Sequence, residues 1–355
     1  MPNYQKIDVV LDMLGCPNRC RHCFVGWRPN PRLDEADLRF AAEAFRPYAQ
    51  DITVYDWNRE PDFGEDYREK WALCQELSTV PPERFELASV WRLARDPSYA
   101  PWLKSLGVRC VQLTLFGGEA LTDWFTGREG AYRDILRAID ALMEAGIAPR
   151  LQAFVNKKTV DELPEVTRLA EALDLERRCG EIGPPFVMFA HQGACDGEAE
   201  NLYPIWPTSE DLEKIPQKLV EHTLRHFGAS SLEEAFGQEE RLLCQELLED
   251  GSTASLGQTE SPVLYVDGEW NVSPNFGVPK GPWLLGNLKT HGPEEILRRL
   301  AADESPAQRV RATVPLRELA RACGSLESRR LFGRGDYIEY LLNRYCEKLE
   351  QEASR

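Results

Sequence analysis

Residues 7–23 read IDVVLDML followed by GCPNRCRHC: a short apolar run over 7–14, then Gly15, then Cys16, Cys20 and Cys23 within one loop. The apolar run predicts a β-strand. Working outward, strand-like and helix-like stretches alternate. DITVYDW (51–57), RFELASVW (84–91), VRCVQLTLF (108–116), APRLQAFVN (148–156) and PPFVMFAH (184–191) predict five more strands. Amphipathic helices are predicted from Asp34 to about Phe45, over 64–79, from Pro101 to Leu106, over 130–145 and over 160–175. The 130–145 helix sets Tyr132, Ile135, Leu136, Ile139 and Leu142 on one face, with Gly146 as its stop.

Parallel strands need crossover connections, so six βα repeats imply a parallel sheet with outer helices. The repeat number predicts an α/β fold, a partial (β/α)6 TIM-like barrel. Sites on such folds lie at the C-terminal ends of the strands, where Cys16, Glu60, Thr114, Asn156 and His191 fall. The pattern changes after residue 208. Helices are predicted over 209–226 and 231–249, then a polar linker, then a hairpin around Asp267-Gly268, then helices near 292–301 and 335–350. This divides the chain into a barrel domain, 1–235, and a small C-terminal α+β domain, 236–355.

The 355 residues carry a net charge of −16. Such a surface repels phosphate backbones and anionic lipid heads, so neither nucleic acid nor a membrane is an expected partner. No stretch reaches the ~20 apolar residues of a membrane span, and no signal peptide is legible, so a cytoplasmic location is expected. Residues 13–32 are the exception in charge: Arg19, Arg21, Arg28 and Arg32 with no acid.

Of ten cysteines, three are clustered. Thiolates at i, i+4 and i+7 can converge on one iron–sulfur cube, leaving one iron open for catalysis. A structural zinc site needs a fourth ligand and closed geometry, and His22, between two of the cysteines, is badly placed to supply it.

CxxxCxxC in the loop after the first strand of a six-repeat chain resembles the signature of the radical S-adenosylmethionine (SAM) superfamily. ITVYDWNREP sits where that family has a strand ending in Gly-Gly-Glu-Pro, and residues 111–147 resemble the fourth-strand segment of its SPASM/Twitch branch. The resemblance implies a 4Fe–4S cluster on Cys16, Cys20 and Cys23 whose open iron chelates SAM. It further implies reductive cleavage to a 5′-deoxyadenosyl radical that takes hydrogen from a substrate. By strand order, Glu60 takes the role of binding the methionine amine, with Asn58 and Arg59 replacing the glycines. Phe116-Gly117-Gly118-Glu119 matches the motif by letters but ends the wrong strand. The resemblance places His22 against adenine, Thr114 near the SAM carboxylate or ribose, and Arg128 as the substitute for the family's arginine. Gln152, Asn156, His191 and Gln192 are polar groups at the barrel mouth.

Residues 263–300 resemble the start of a SPASM domain, with Asp267-Gly268 and Gly286-Asn287-Leu288 present. The hairpin cysteine is replaced at about Ser273, and the downstream group is reduced to Cys323, with Cys346 in the final place. Two or three thiols cannot fill the about eight ligand places of two auxiliary clusters, so a degenerate SPASM-like domain is expected. Without a second electron acceptor, a redox-neutral epimerisation or rearrangement is expected, with Cys195 or Cys323 as hydrogen donor. No peptide-recognition segment precedes the first strand. This favours a small molecule, as in natural-product tailoring, over the alternative of a peptide or protein. A flavodoxin or ferredoxin is the expected electron donor, docking near the arginines of 13–32.

Overall fold

The computed structural model describes residues 4–57, 59–257, 259–274 and 281–353. Ten strands form in chain order: β1 (Tyr4–Leu11), β2 (Ala49–Tyr55), β3 (Cys110–Leu115), β4 (Ala148–Phe154), β5 (Val187–His191), β6 (Gln238–Glu239), β7 (Val263–Val266), β8 (Asn271–Ser273), β9 (Gly286–Asn287) and β10 (Leu331–Phe332). The helices of the first half are α1 (Glu35–Phe45), α2 (Tyr67–Leu77), α3 (Val90–Leu93), α4 (Tyr99–Ser105), α5 (Glu119–Thr126), α6 (Ala131–Glu144), α7 (Leu163–Ala172) and α8 (Leu175–Ile182). Then come α9 (Ser209–Leu212), α10 (Gln217–Phe227), α11 (Leu232–Phe236), α12 (Glu240–Leu248), α13 (Leu288–Ala301), α14 (Pro306–Thr313), α15 (Leu316–Cys323) and α16 (Arg334–Ala353).

The barrel wall is two arcs. β2, β1 and β7 run parallel in one, and β7 continues through antiparallel β8 and β9; β3, β4 and β5 run parallel in the other. Strand alternation sorts the side chains. Ile7, Val9 and Leu11 face outward onto Leu38, Ala42 and Phe45 of α1, while Val10 packs inward with Tyr55 and Tyr265. In the second arc Val111, Leu113, Leu151 and Met188 join the outer helices in one core. That leaves Gln112, Thr114 and Gln152 on the opposite face. α1 starts where expected because Asp34 and Asp37 form a reciprocal capping box.

The partial barrel stands, with one strand of the reading corrected. RFELASVW is not a strand. Arg84 is drawn to Asp62 in a buried ion pair, and Ser89 caps α3 by accepting from Arg92 N at 3.2 Å. Between those anchors the segment makes one backbone bond to the second arc, Gln112 N to Glu86 O at 2.8 Å, and Glu86 pairs with Arg150 of β4. The helix expected over 231–249 is broken at Gly237. Its φ is +86°, and a Cβ there would lie 2.0 Å from the Phe332 carbonyl. α14 and α15 escaped the reading. The expected hairpin forms, and its strand β7 pairs with β1, so one sheet is continuous across residue 235. Among the described residues no helix is long and apolar enough to cross a membrane.

Candidate functional site

The strand ends converge on the cysteine loop. Two backbone bonds tie it to the end of α5: Arg19 N to Thr126 O at 3.0 Å and Arg21 N to Phe125 O at 2.8 Å. Gly127, at φ +63°, permits this approach, since a Cβ would lie 2.3 Å from the Arg19 carbonyl. The other side is held by Glu198, whose N–H donates to Cys23 O at 2.9 Å and whose carboxylate accepts from Trp27 N at 3.1 Å. Trp27 Nε1 donates to Cys20 O at 2.9 Å. Cys16, Cys20 and Cys23 all remain partly exposed in this frame.

Burial pushes the three thiols up, and Cys16 and Cys20 are raised further by the neighbouring thiols and by Glu60. Cations oppose this: Arg128 beside Cys20, and Arg28 and Arg59 beside Cys23. Three mutually coupled thiols ringed by guanidiniums suit an anionic thiolate-ligated cluster. Among the described residues no group of three His, Cys, Asp or Glu side chains is arranged for a single metal ion; an iron–sulfur cube spreads its ligands more widely.

Glu60 lies beyond the end of β2. Its Oε2 is 3.9 Å from Cys16 Sγ. Its Oε1 is buried without a partner, and burial raises its pKa to about 7. Nearby, Asp56 Oδ1 and Trp57 Nε1 are also buried without partners. Burial and neighbouring Asp62 raise Asp56 to about 7. All three residues line a cavity of about 10 Å³, room for roughly one water. Glu119, by contrast, is a surface residue at the start of α5, paired with Arg133 at 2.7 Å. Asn58 lies outside the described residues.

His22 packs against Phe116 and Phe154 with its ring tilted 49° to each, at centroid distances of 4.7 and 5.0 Å. Its Nδ1 is buried and unpartnered, and burial lowers its pKa to about 4. Arg128 donates to Asn18 at 2.7 Å and pairs with Asp134 at 2.6 Å, which brings it to the cysteine loop. Thr114 and Gln112 both reach Gln152 Oε1, at 3.4 and 2.7 Å. Asn156 is committed locally, accepting from Lys158 N and Thr159 N. His191 accepts from Gly193 N at 2.9 Å, which fixes Nδ1 as the unprotonated nitrogen. Gln192 Nε2 donates to Phe236 O, leaving Oε1 buried and unpartnered.

Cys195 shares an apolar cluster with Phe116 and Phe154, and its thiol donates to Asp336 O at 3.2 Å. Cys323 ends α15, packed in the C-terminal layer beside Cys346. Of the loop arginines, Arg28 is not a free docking charge: its side chain pairs with buried Asp12. Arg21 lies 4.3 Å over the Trp124 ring. Residues that sequence reading missed are Asp12, Asn30, Ser89 and Glu198. Asp12, an acid ending an apolar run, was the one signal among them.

A (β/α) partial barrel with three thiols in its first loop and a partly buried carboxylate against them supplies the ligands for a thiolate-held cluster and an acceptor beside it. Residues 10–170 match the Radical SAM superfamily model, and the chain carries a radical SAM domain, whose family uses a 4Fe–4S cluster and SAM. A curated relative, the Fe-coproporphyrin III synthase of Methanosarcina barkeri (strain Fusaro / DSM 804), is 32% identical over 84 residues. That match spans 24% of this chain and only 21% of the relative. Among solved structures, native anSMEcpe with bound AdoMet and the Kp18Cys peptide aligns over 97% of this chain and 99% of that one, with TM-score 0.52 and 14% identity. The same enzyme with the Cp18Cys peptide aligns over 97% and 99%, with TM-score 0.50 and 14% identity. These structures overturn the expectation of a small-molecule substrate. That expectation rested on where the sequence begins, whereas a structure solved with a bound peptide aligns with this chain over almost its whole length.

Proposed function

We propose that this chain is a radical SAM enzyme that modifies a peptide or protein. Cys16, Cys20 and Cys23 hold the 4Fe–4S cluster, which when bound supplies the electron that cleaves SAM. The observation that carries the site assignment is Glu60: a buried, unpartnered oxygen on a carboxylate 3.9 Å from a cluster cysteine. An orphaned buried acceptor is costly, and an ammonium group arriving beside the cysteine loop would satisfy it. His22 offers a neutral ring, packed against Phe116 and Phe154, to adenine, and Arg128 places a cation beside the loop. The peptide reading takes its support from the full-length likeness in fold to anSMEcpe. The scarcity of C-terminal thiols supports a redox-neutral outcome.

The test is anaerobic reconstitution followed by assay of 5′-deoxyadenosine with a crude extract from the producing cell. Stimulation that disappears when the extract is first digested with protease supports a peptide or protein substrate. Stimulation that survives digestion and passes a small-molecule filter overturns it.

A further inference from the structure

Arg59 stands where the resembling family has glycine, and the structure gives it partners. Asp12, just beyond β1, is 1% exposed. Its Oδ2 accepts from Arg28 Nε at 3.0 Å and from Arg59 Nε at 2.9 Å. Arg59 donates its other nitrogens to the carbonyls of Arg28 at 2.8 Å and Pro29 at 3.1 Å. The next residue, Asn30, brackets the first cysteine: its Oδ1 accepts from Cys16 N at 3.1 Å, and its Nδ2 donates to Cys16 O at 3.0 Å. Gly15 lies beneath this junction at φ +81°, where a Cβ would meet Asn30 Oδ1 at 2.2 Å and Arg59 Nη2 at 2.5 Å. The path therefore runs from Cys16 through Asn30 and the 28–29 backbone to Arg59, and one residue further to Glu60.

A buried ion pair gains little over apolar side chains of similar volume, because desolvation offsets the attraction. What the planar guanidinium fork adds here is geometry: three acceptors on two chain segments held at once. We propose that Asp12 and Arg59 form a clasp that fixes the cluster loop against the Glu60 loop, making Arg59 a positioning residue for SAM. This rests on the reading of Glu60 as the partner of the SAM ammonium. Arg28 shares the same carboxylate, but among the described residues its side chain bonds to Asp12 and to Val25 O at 3.3 Å alone. It is therefore the internal control.

The experiment compares reconstituted Arg59→Gln, Arg59→Lys, Arg28→Gln and Glu60→Gln. Three quantities are read: SAM affinity by equilibrium dialysis, the response of the reduced cluster's EPR signal to SAM, and the half-life of cluster absorbance under a chelator. Both arginine-to-glutamine changes should shorten the half-life. Only Arg59→Gln should weaken SAM binding by about tenfold, with Arg28→Gln under about threefold, the contrast expected of a charged hydrogen bond lost at a coupled site. Arg59→Lys should recover the half-life more than the SAM affinity, since an ammonium cannot reproduce the fork. Equal SAM losses at Arg28 and Arg59, or none at Arg59, overturn the clasp; if Arg59→Gln fails to fold, Arg59→Lys against Arg28→Gln decides. Unchanged SAM affinity in Glu60→Gln overturns the Glu60 reading alone. A loss at Arg59 in that case supports the clasp of the two loops but overturns Glu60 as the route by which Arg59 positions SAM.

Discussion

Two regions of the molecule are rich in cysteine and treat it oppositely. In the barrel mouth, Cys16, Cys20 and Cys23 share one loop, stay partly exposed, and stand among Arg28, Arg59 and Arg128. In the C-terminal layer, Cys244 and Cys346 are buried beside Leu247, Leu319, Phe332 and Leu341, and Cys195 is buried at its edge. There the charged neighbours of Cys195 are acids, Asp196, Asp336, Glu339 and Glu200, each opposing a thiolate. Thiolates ligate metals and thiols pack. Charge and exposure thus set Cys16, Cys20 and Cys23 apart from Cys195, Cys244 and Cys346, whereas Cys323, partly exposed beside Lys348 and Arg344, differs in having no second and third thiol in its own loop.

The contrast breaks most directly at the ligands. Cys16→Ala, Cys20→Ala and Cys23→Ala should each abolish the cluster, whereas Cys323→Ala and Cys346→Ala should leave about four irons per chain, one cube's worth. Iron and sulfide analysis reads the outcome, and about eight or twelve irons in the wild type would place ligands in the C-terminal layer. The next largest effect should come from that layer's packing. Phe332→Ala, emptying a site 1% exposed, should cost about 3–5 kcal/mol in denaturant unfolding while iron loading of the folded fraction is unchanged.

At the mouth, Glu60→Gln should weaken SAM binding by about 1–3 kcal/mol, and Glu119→Gln, on an exposed side chain paired with Arg133, should scarcely alter it. Equilibrium dialysis with labelled SAM distinguishes the two, and the reverse order would return the motif to Glu119. The smallest effect concerns pH. Burial raises Asp56 to about 7, above its unfolded value. The folded chain thus holds that proton more tightly, so this contribution to stability is full below about pH 4 and is lost as pH rises through about 7. Asp56→Asn should accordingly flatten the fall in melting temperature of the cluster-free protein between pH 5 and 8, by a few degrees for each ~1 kcal/mol. An unchanged slope would mean that Asp56 titrates normally.

How much was legible follows from where the signal sits in the chain. The cysteine triplet, the parallel βα order, the capping box at Asp34 and the hairpin at Asp267-Gly268 are local, carried by spacing within a few residues. RFELASVW had strand propensity, but Arg84 and Ser89 were claimed by Asp62 and α3, partners that no local pattern reveals. Gly237 stops a periodic helix because Phe332, almost a hundred positions away, occupies its flank. The substrate expectation failed for another reason: it was drawn from where the sequence begins rather than from a pocket.

By itself the sequence pointed to the chemistry class, through a cysteine spacing that resembles a known family, and it located five of the six barrel strands it proposed, since period-2 and period-3.6 patterns are local. Only the tertiary structure decided which acid lies buried at the cysteine loop, why an arginine replaces a glycine beside it, and which thiols are packing. Those depend on desolvation and on contacts such as Asp12 to Arg59, 2.9 Å in space and 47 residues in sequence, and the energy of a buried charge is set by what surrounds it rather than by what precedes it in the chain.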